Sequence, residues 1–369
     1  MLLSDVKLLQ CPLCYEHFKI GAIWKKHGQQ IVFGSLVCNC DEFPIIEGIL
    51  YLFKPLNRQI LDYLRQKDFT AAVLLGLTQR RKFHPEQIWI KRSKPLLSRF
   101  LSTDFLQKIG KVQCARLLSL FLPKHLVKYY FTRDEWQDAL AIHFPLAALL
   151  VRPQRQRKIL WLDVGSGIVN NFTEMQQAYP KLKIISLDSN FSNLFLSKAF
   201  YSGENVIRIC ADAHFLRLVR PHSLDVITLI DTLQSLQAPV PVLQQASSPE
   251  LLKNNGVLFV SGLQEHLFVE REWGIFPAPR KMVRNAFQGK KQPIFFDNEE
   301  LSKQIQAGEI RFQEVRLRKT DPVFSYGFIW ANSWRVPAKL STQFIPPDVR
   351  AKATRRWEDA HKMWQNRAY

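Results

Sequence analysis

Residues 159–190 read ILWLDVGSGIVNNFTEMQQAYPKLKIISLDSN, and this stretch decides the fold. Ile159-Leu160-Trp161-Leu162 is a short apolar run that ends in Asp163-Val164-Gly165-Ser166-Gly167. Such a run bounded by glycines predicts a buried parallel strand feeding a tight turn. Gly165 and Gly167 lack a Cβ, so the turn can take positive φ and let a ligand approach the backbone. Helical character over 170–179 puts unpaired helix N–H groups beside whatever the turn holds. A second apolar strand, 183–187, then ends on Asp188, 21 residues after Gly167. An acid at that distance suits the two hydroxyls of a ribose.

A dinucleotide fingerprint requires a third glycine where Asn170 stands, and Asp163 would repel a pyrophosphate. A nicotinamide-dependent oxidoreductase is therefore disfavoured, and the acid suits a cationic ligand. The pattern D-x-G-x-G with a distant acid resembles the first two motifs of class I S-adenosylmethionine-dependent methyltransferases, over residues 159–332. The resemblance implies a doubly wound, Rossmann-like α/β sheet that binds S-adenosylmethionine. It puts Asp163, Gly165, Ser166 and Gly167 at the methionine end of that cofactor, Asp188 and Ser189 at the ribose, and Asp212 and Ala213 at the adenine. The chain departs from the family pattern at Val169, where a glycine is usual.

After the next predicted strand, 223–230, Asp231, Thr232 and Gln234 lie at its carboxyl end, where ligands sit in open parallel sheets. Asp231 is thus both a cofactor-side and a catalytic candidate. A weak nucleophile needs a base. Asp231 and His214 are the first candidates, with His222 and His266 behind them. No N/D-P-P-Y/F/W stretch follows that strand, which disfavours transfer to an exocyclic base amine. Pro239, Pro241 and Pro249 are expected to interrupt the following helix. Residues 256–262 form a further strand, and 263–296, rich in aromatic and basic residues, reads as an insertion able to act as a lid. Asp297 to Glu300 is a capping pair for a helix ending at Ala307. Residues 311–318 and 324–332 are the expected last two strands, antiparallel.

Towards the front, Cys11-Pro-Leu-Cys14 and Cys38-Asn-Cys40 are separated by 23 intervening residues. Two such knuckles close a tetrahedral structural Zn2+ site. A segment this short cannot build a self-sufficient core, so metal binding becomes folding energy. The run 42–52, EFPIIEGILYL, together with the cysteines resembles a zinc-ribbon family. Its members are small partner proteins that activate methyltransferases acting on transfer RNA and release factors. The likeness implies a ribbon packed on the catalytic domain within one chain.

The expected organisation is a zinc ribbon (1–54), a basic helical segment (55–158), a methyltransferase domain (159–334) and a basic C-terminal tail (335–369). The net charge of +19 is uneven. Residues 55–158 hold 20 basic and 7 acidic groups and 263–369 hold 19 and 12, whereas 159–262 hold 7 and 8. A polyanion such as RNA, or a ribonucleoprotein, fits those flanks, and so does a solvated helical surface. Phe83, Trp89, Tyr129 and Tyr130, interleaved with bases, suit stacking on nucleic acid or the cores of helices alike. In the tail, Trp357 and Trp364 share a helix face that a protein partner can cover. No apolar run reaches the roughly 18–20 residues of a membrane span, and a cytoplasmic location is expected. Substrates from RNA to a small metabolite, and a non-catalytic scaffold that keeps the fold, all remain compatible.

Overall fold

The structure is a computed structural model. It describes residues 1–78, 101–119, 158–168, 175–176, 179–200, 205–265, 276–312, 325–331 and 339–341. The chain divides into two compact units. The first comprises Met1–Arg133, Ser166–Thr173 and Ile184–Arg220, and the second Asp134–Gly165, Glu174–Lys183 and Pro221–Tyr369. The fold is mixed α/β and Rossmann-like: buried parallel strands alternate with helices, and antiparallel strands are added to them.

In the first unit, β1 (Lys19–His27), β2 (Gln30–Val37), β3 (Glu42–Ile46) and β4 (Ile49–Tyr51) form an antiparallel meander. β4 then pairs in parallel with β7 (Val206–Cys210), with Ile49 opposite Arg208 and Tyr51 opposite Cys210. β7 in turn pairs in parallel with β6 (Leu182–Asp188). The cysteine-bearing front of the chain is thus joined to β7 by ladder hydrogen bonds, continued by the Leu52 amide donating to the Cys210 carbonyl at 2.9 Å. This cover matters because an unpaired strand edge is an aggregation template.

Three helices follow the meander. α1 (Lys54–Arg65) starts with a proline in its first turn and buries Ile60, Leu61 and Leu64, close to the spacing of one helix face. α2 (Phe69–Leu77) is capped by Asp68, whose side chain accepts from the Ala71 amide. The chain breaks between them at Lys67, which has a φ of 58°. α3 (Thr103–Leu118) is kinked at Gly110, with φ 78°. With α4 (Phe191–Phe200), they enclose a core of Phe33, Ile46, Ile49, Tyr51, Ile60, Leu64, Phe191 and Phe195. Gly76 admits the Phe191 ring, since a Cβ there would lie 2.9 Å from it.

In the second unit the strand order is β5 (Ile159–Val164), β8 (Leu224–Ile230), β9 (Leu252–Leu263), β12 (Tyr326–Ala331), β10 (Ile294–Asp297). The first three are parallel and the last two antiparallel. Asp225, fully buried, ties the strand starts together: it accepts from the Leu160 amide (2.9 Å) and from Lys253 Nζ (2.6 Å).

Two expectations need correction here. The edge partner of β12 is Ile294–Asp297, inside the segment read as an insertion, and not 311–318. Glu309–Arg311 (β11) instead pairs with Lys339–Ser341 (β13), and 313–320 lie outside the described residues. Part of that segment is regular structure, since α6 (Arg280–Ala286) precedes β10. The close fit of β10 relies on Gly327, where a Cβ would be 2.4 Å from the Phe296 ring. Finally, Pro239 and Pro241 do not interrupt a helix. They open α5 (Pro239–Ala246), where a missing N–H costs nothing and φ is preset. The capping expectation at Asp297 holds: its side chain accepts from the Glu300 amide at 2.9 Å and starts α7 (Asn298–Ala307). Residues 120–157, the aromatics at 83, 89, 129 and 130, and the tail 342–369 lie outside the described residues.

Candidate functional site

The first unit carries the second half of the glycine turn. The Ser166 amide donates to the Leu187 carbonyl (3.0 Å), and its hydroxyl meets that of Ser186 at 2.5 Å. Gly167, with φ 58°, donates its amide to Asp188 Oδ2 at 2.8 Å. That same oxygen accepts from Asn193 Nδ2 (3.2 Å), and Oδ1 accepts from the Asn190 amide (2.6 Å). Asn190 in turn accepts from the Ser192 amide and so opens α4. Asp188 is 7% exposed. It therefore has a role that spacing alone does not reveal: one carboxylate braces both the glycine turn and the helix start.

Ser189, at the same strand end, accepts from the Cys210 thiol through its carbonyl. After β7, Asp212 Oδ1 accepts from both the amide and the ring Nδ1 of His214, at 2.9 and 2.6 Å. Ala213 between them is buried. The structure thus brings together two residues that the sequence reading had given separate tasks. Asp212 holds the imidazole by one nitrogen, and the His214 side chain is 26% exposed.

In the second unit, Asp163 ends β5 almost fully buried. Trp161 Nε1 donates to Thr228 Oγ1 (2.8 Å), and that hydroxyl donates to Asp163 Oδ1 (2.7 Å). Gly165 has φ 69°, and a Cβ on it would fall 2.3 Å from the Thr232 side chain. Thr232 Oγ1 lies 3.3 Å from the Gly165 carbonyl and donates to it. The glycine is required here twice, by backbone conformation and by space. Asp231 also has a positive φ, 51°, a strained state for a residue with a Cβ. Its amide donates to Ser261, and its Oδ1 accepts from Gln234 Nε2 at 2.5 Å. Strain of this kind clusters at functional positions. Val169, Asn170 and His266 lie outside the described residues.

Cys11, Cys14, Cys38 and Cys40 have their Sγ atoms all within 4.8 Å of one another. The Cys11–Cys40 and Cys38–Cys40 separations are 3.5 and 3.3 Å. Thiolates about 2.3 Å from a tetrahedral zinc stand about 3.8 Å apart, so the four fit one ion. The Leu13 amide donates to the Cys11 sulfur at 3.4 Å, the kind of bond that steadies a thiolate ligand. The turn that permits it closes at Tyr15, with φ 61°. An ion held by all four cysteines would have no coordination place left for a water.

Among the described residues, no helix is long and apolar enough to cross a membrane. Residues 162–260 match the family model described as a methyltransferase domain. No curated protein sequence matches the chain. Among solved structures, the chain is similar to Haemonchus contortus phosphoethanolamine N-methyltransferase 2 in complex with S-adenosyl-L-methionine. Identity is 13%, coverage 54% of this chain and 53% of that one, and the TM-score 0.39. The chain thus spans about half the length of that protein. It is also similar to the plantazolicin methyltransferase BamL in complex with a triazolic desmethylPZN analog and SAH (12%, 61% and 97%, 0.41). A third similarity is to a complex of the Haloferax volcanii Trm112 methyltransferase activator with a methyltransferase (11%, 54% and 90%, 0.37).

Proposed function

We propose that the protein is an S-adenosylmethionine-dependent methyltransferase, a reading carried by the methyltransferase-domain match over residues 162–260. The bracing of Gly167 by Asp188 supports it, because that contact keeps a narrow, Cβ-free turn open at the strand ends. Asp163, Gly165, Ser166, Gly167, Asp188, Ser189, Asp212, Ala213 and Asp231 are the residues assigned to the cofactor. Bound S-adenosylmethionine supplies a methyl group on a sulfonium, ready for in-line displacement. Transfer of this kind draws much of its acceleration from positioning.

The chain's own part is to hold charge and geometry. Thr228 fixes the Asp163 carboxylate, which is suited to the cationic end of the cofactor. His214 and Asp231 are assigned to the acceptor's proton. Asp212 fixes the His214 ring through Nδ1, so Nε2 is the nitrogen that would take that proton. Gln234 orients the Asp231 carboxylate. Four thiolates hold a structural Zn2+ at the front of the chain.

The acceptor is proposed to be RNA or a ribosome-associated target, because the excess charge lies outside residues 159–262. A C-terminal contact with a protein partner is proposed on Trp357 and Trp364. Calorimetry with S-adenosylmethionine tests the cofactor assignment. Micromolar binding is expected, and no heat at millimolar ligand would leave a non-catalytic scaffold. Transfer of radiolabelled methyl groups to unmethylated cellular RNA tests the acceptor, and label found only in small molecules would overturn the RNA reading.

A further inference from the structure

The first unit buries a second group of charges, towards the turn between β3 and β4. That turn is the pair Glu47-Gly48, with φ 51° and 75°. A two-residue hairpin turn with both φ positive matches the strand twist. It leaves Glu47 only 5% exposed. Glu47 Oε2 accepts from Thr103 Oγ1 at 3.0 Å and lies 3.4 Å from Lys198 Nζ. The same ammonium donates to the Glu47 carbonyl at 2.7 Å. Acid and ammonium neutralise each other.

Arg208 does not share in this pairing. It stands on β7 opposite Ile49, two residues beyond Glu47, and its charge acts on Lys198. The Met1 amine nearby donates to the Ile31 and Gly48 carbonyls, and burial lowers its pKa to about 5. Arg208 is 5% exposed, and its Nε and Nη2 have no hydrogen-bond partner among the described residues. Burial alone pushes its pKa down to about 9. A core tolerates few arrangements as costly as a cation without a counter-charge.

The two unpaired atoms are informative because they share one edge of the guanidinium. That edge presents two parallel N–H bonds, the fork that takes two oxygens of one anion. We propose that Arg208 anchors a buried oxyanion site that holds one inorganic phosphate or sulfate on the free edge of its guanidinium. The burial of Arg208 favours a small ion over an organic acid, and a halide offers no pair of oxygens to the fork. Arg208 precedes Asp212 by four residues on the way to the carboxyl end of β7, so the ion supports the sheet and is not the methyl acceptor.

The test uses the whole protein dialysed into phosphate- and sulfate-free buffer. Ion chromatography of the denatured protein should find one phosphate or sulfate per chain. Where dialysis removes it, adding phosphate at constant ionic strength should raise Tm by a few degrees, saturably, with chloride inert. Arg208→Met and Arg208→Lys should both lose the bound ion and the response. The lysine variant keeps the charge without the fork, so it reads the geometry even if the methionine variant does not fold. No bound oxyanion together with no saturable shift overturns the site, and so does a response that persists in Arg208→Lys.

Discussion

Gly165 and Asp188 show how much a single position in the turn controls. At Gly165 an added methyl group meets the Thr232 side chain at 2.3 Å, on a backbone with φ 69°. Gly165→Ala should cost about 2 kcal/mol or more by urea unfolding. Adding Thr232→Gly should recover only the steric part, because the backbone strain remains. Asp188→Ala leaves three donors without their acceptor, the Gly167 and Asn190 amides and the Asn193 side chain. A loss of roughly 2–4 kcal/mol is expected, together with at least a tenfold loss of S-adenosylmethionine affinity in calorimetry. Asp297 carries a pH signature. Burial is the main cause that raises its carboxyl above the ordinary 3.8, against the opposing Glu300 and Glu299 amides. A raised folded pKa means that its stabilising share is complete below the unfolded value and is lost as pH climbs through the folded one. The stability of the wild type minus that of Asp297→Asn should therefore fall as pH rises above about 3.8, and a flat difference would reject the assignment. Of these positions, the glycine turn and the Asp297 cap are legible in the sequence because each depends on local backbone chemistry. The Asp212–His214 pair was legible only as two separate residues. Their two-residue spacing names no partner until the turn after β7 brings the ring back to the carboxylate.

At the scale of an element, the cysteine knuckles make the clearest demand. One equivalent of zinc is expected by elemental analysis, lost in Cys38→Ser, with a lower Tm on chelation. A protein that keeps its Tm when stripped of metal would show that the meander folds on packing alone. The edge strand β10 marks the limit of local reading. Phe295 and Phe296 lie in an aromatic, basic run that looks like a mobile insertion, yet Phe296 is fully buried. What makes it a strand is a distant glycine, Gly327, whose missing side chain leaves room for its ring. Nothing within 263–296 signals that fit. The prolines at 239 and 241 misled for a related reason. The same residue breaks a helix or begins one, and the boundary that decides between them is set by where β8 and its turn end.

For the molecule as a whole, the decisive contact is the parallel pairing of β4 with β7, between segments about 160 residues apart in the chain. Sequence patterns of strand and turn reveal each strand but not the partner it chooses, so the front of the chain reads as a separate module. Deleting residues 1–53 should uncover the edge of β7 and yield aggregated protein on size exclusion. A monomeric, stable product would show the meander to be dispensable.

Ile49 leaves the ribosome long before Arg208, the residue it pairs with. At roughly 5–20 residues per second, that delay amounts to about 8–30 s. During it, the nascent β-meander has no β7 to lie against, and its apolar face is open to other chains. A metal ion gathered early by four cysteines would act as a placeholder, keeping the waiting strands in shape until translation delivers their neighbour. Such a zinc centre would govern yield in the cell as well as the stability of the finished fold, and synthesis under zinc limitation is where its loss would be felt first.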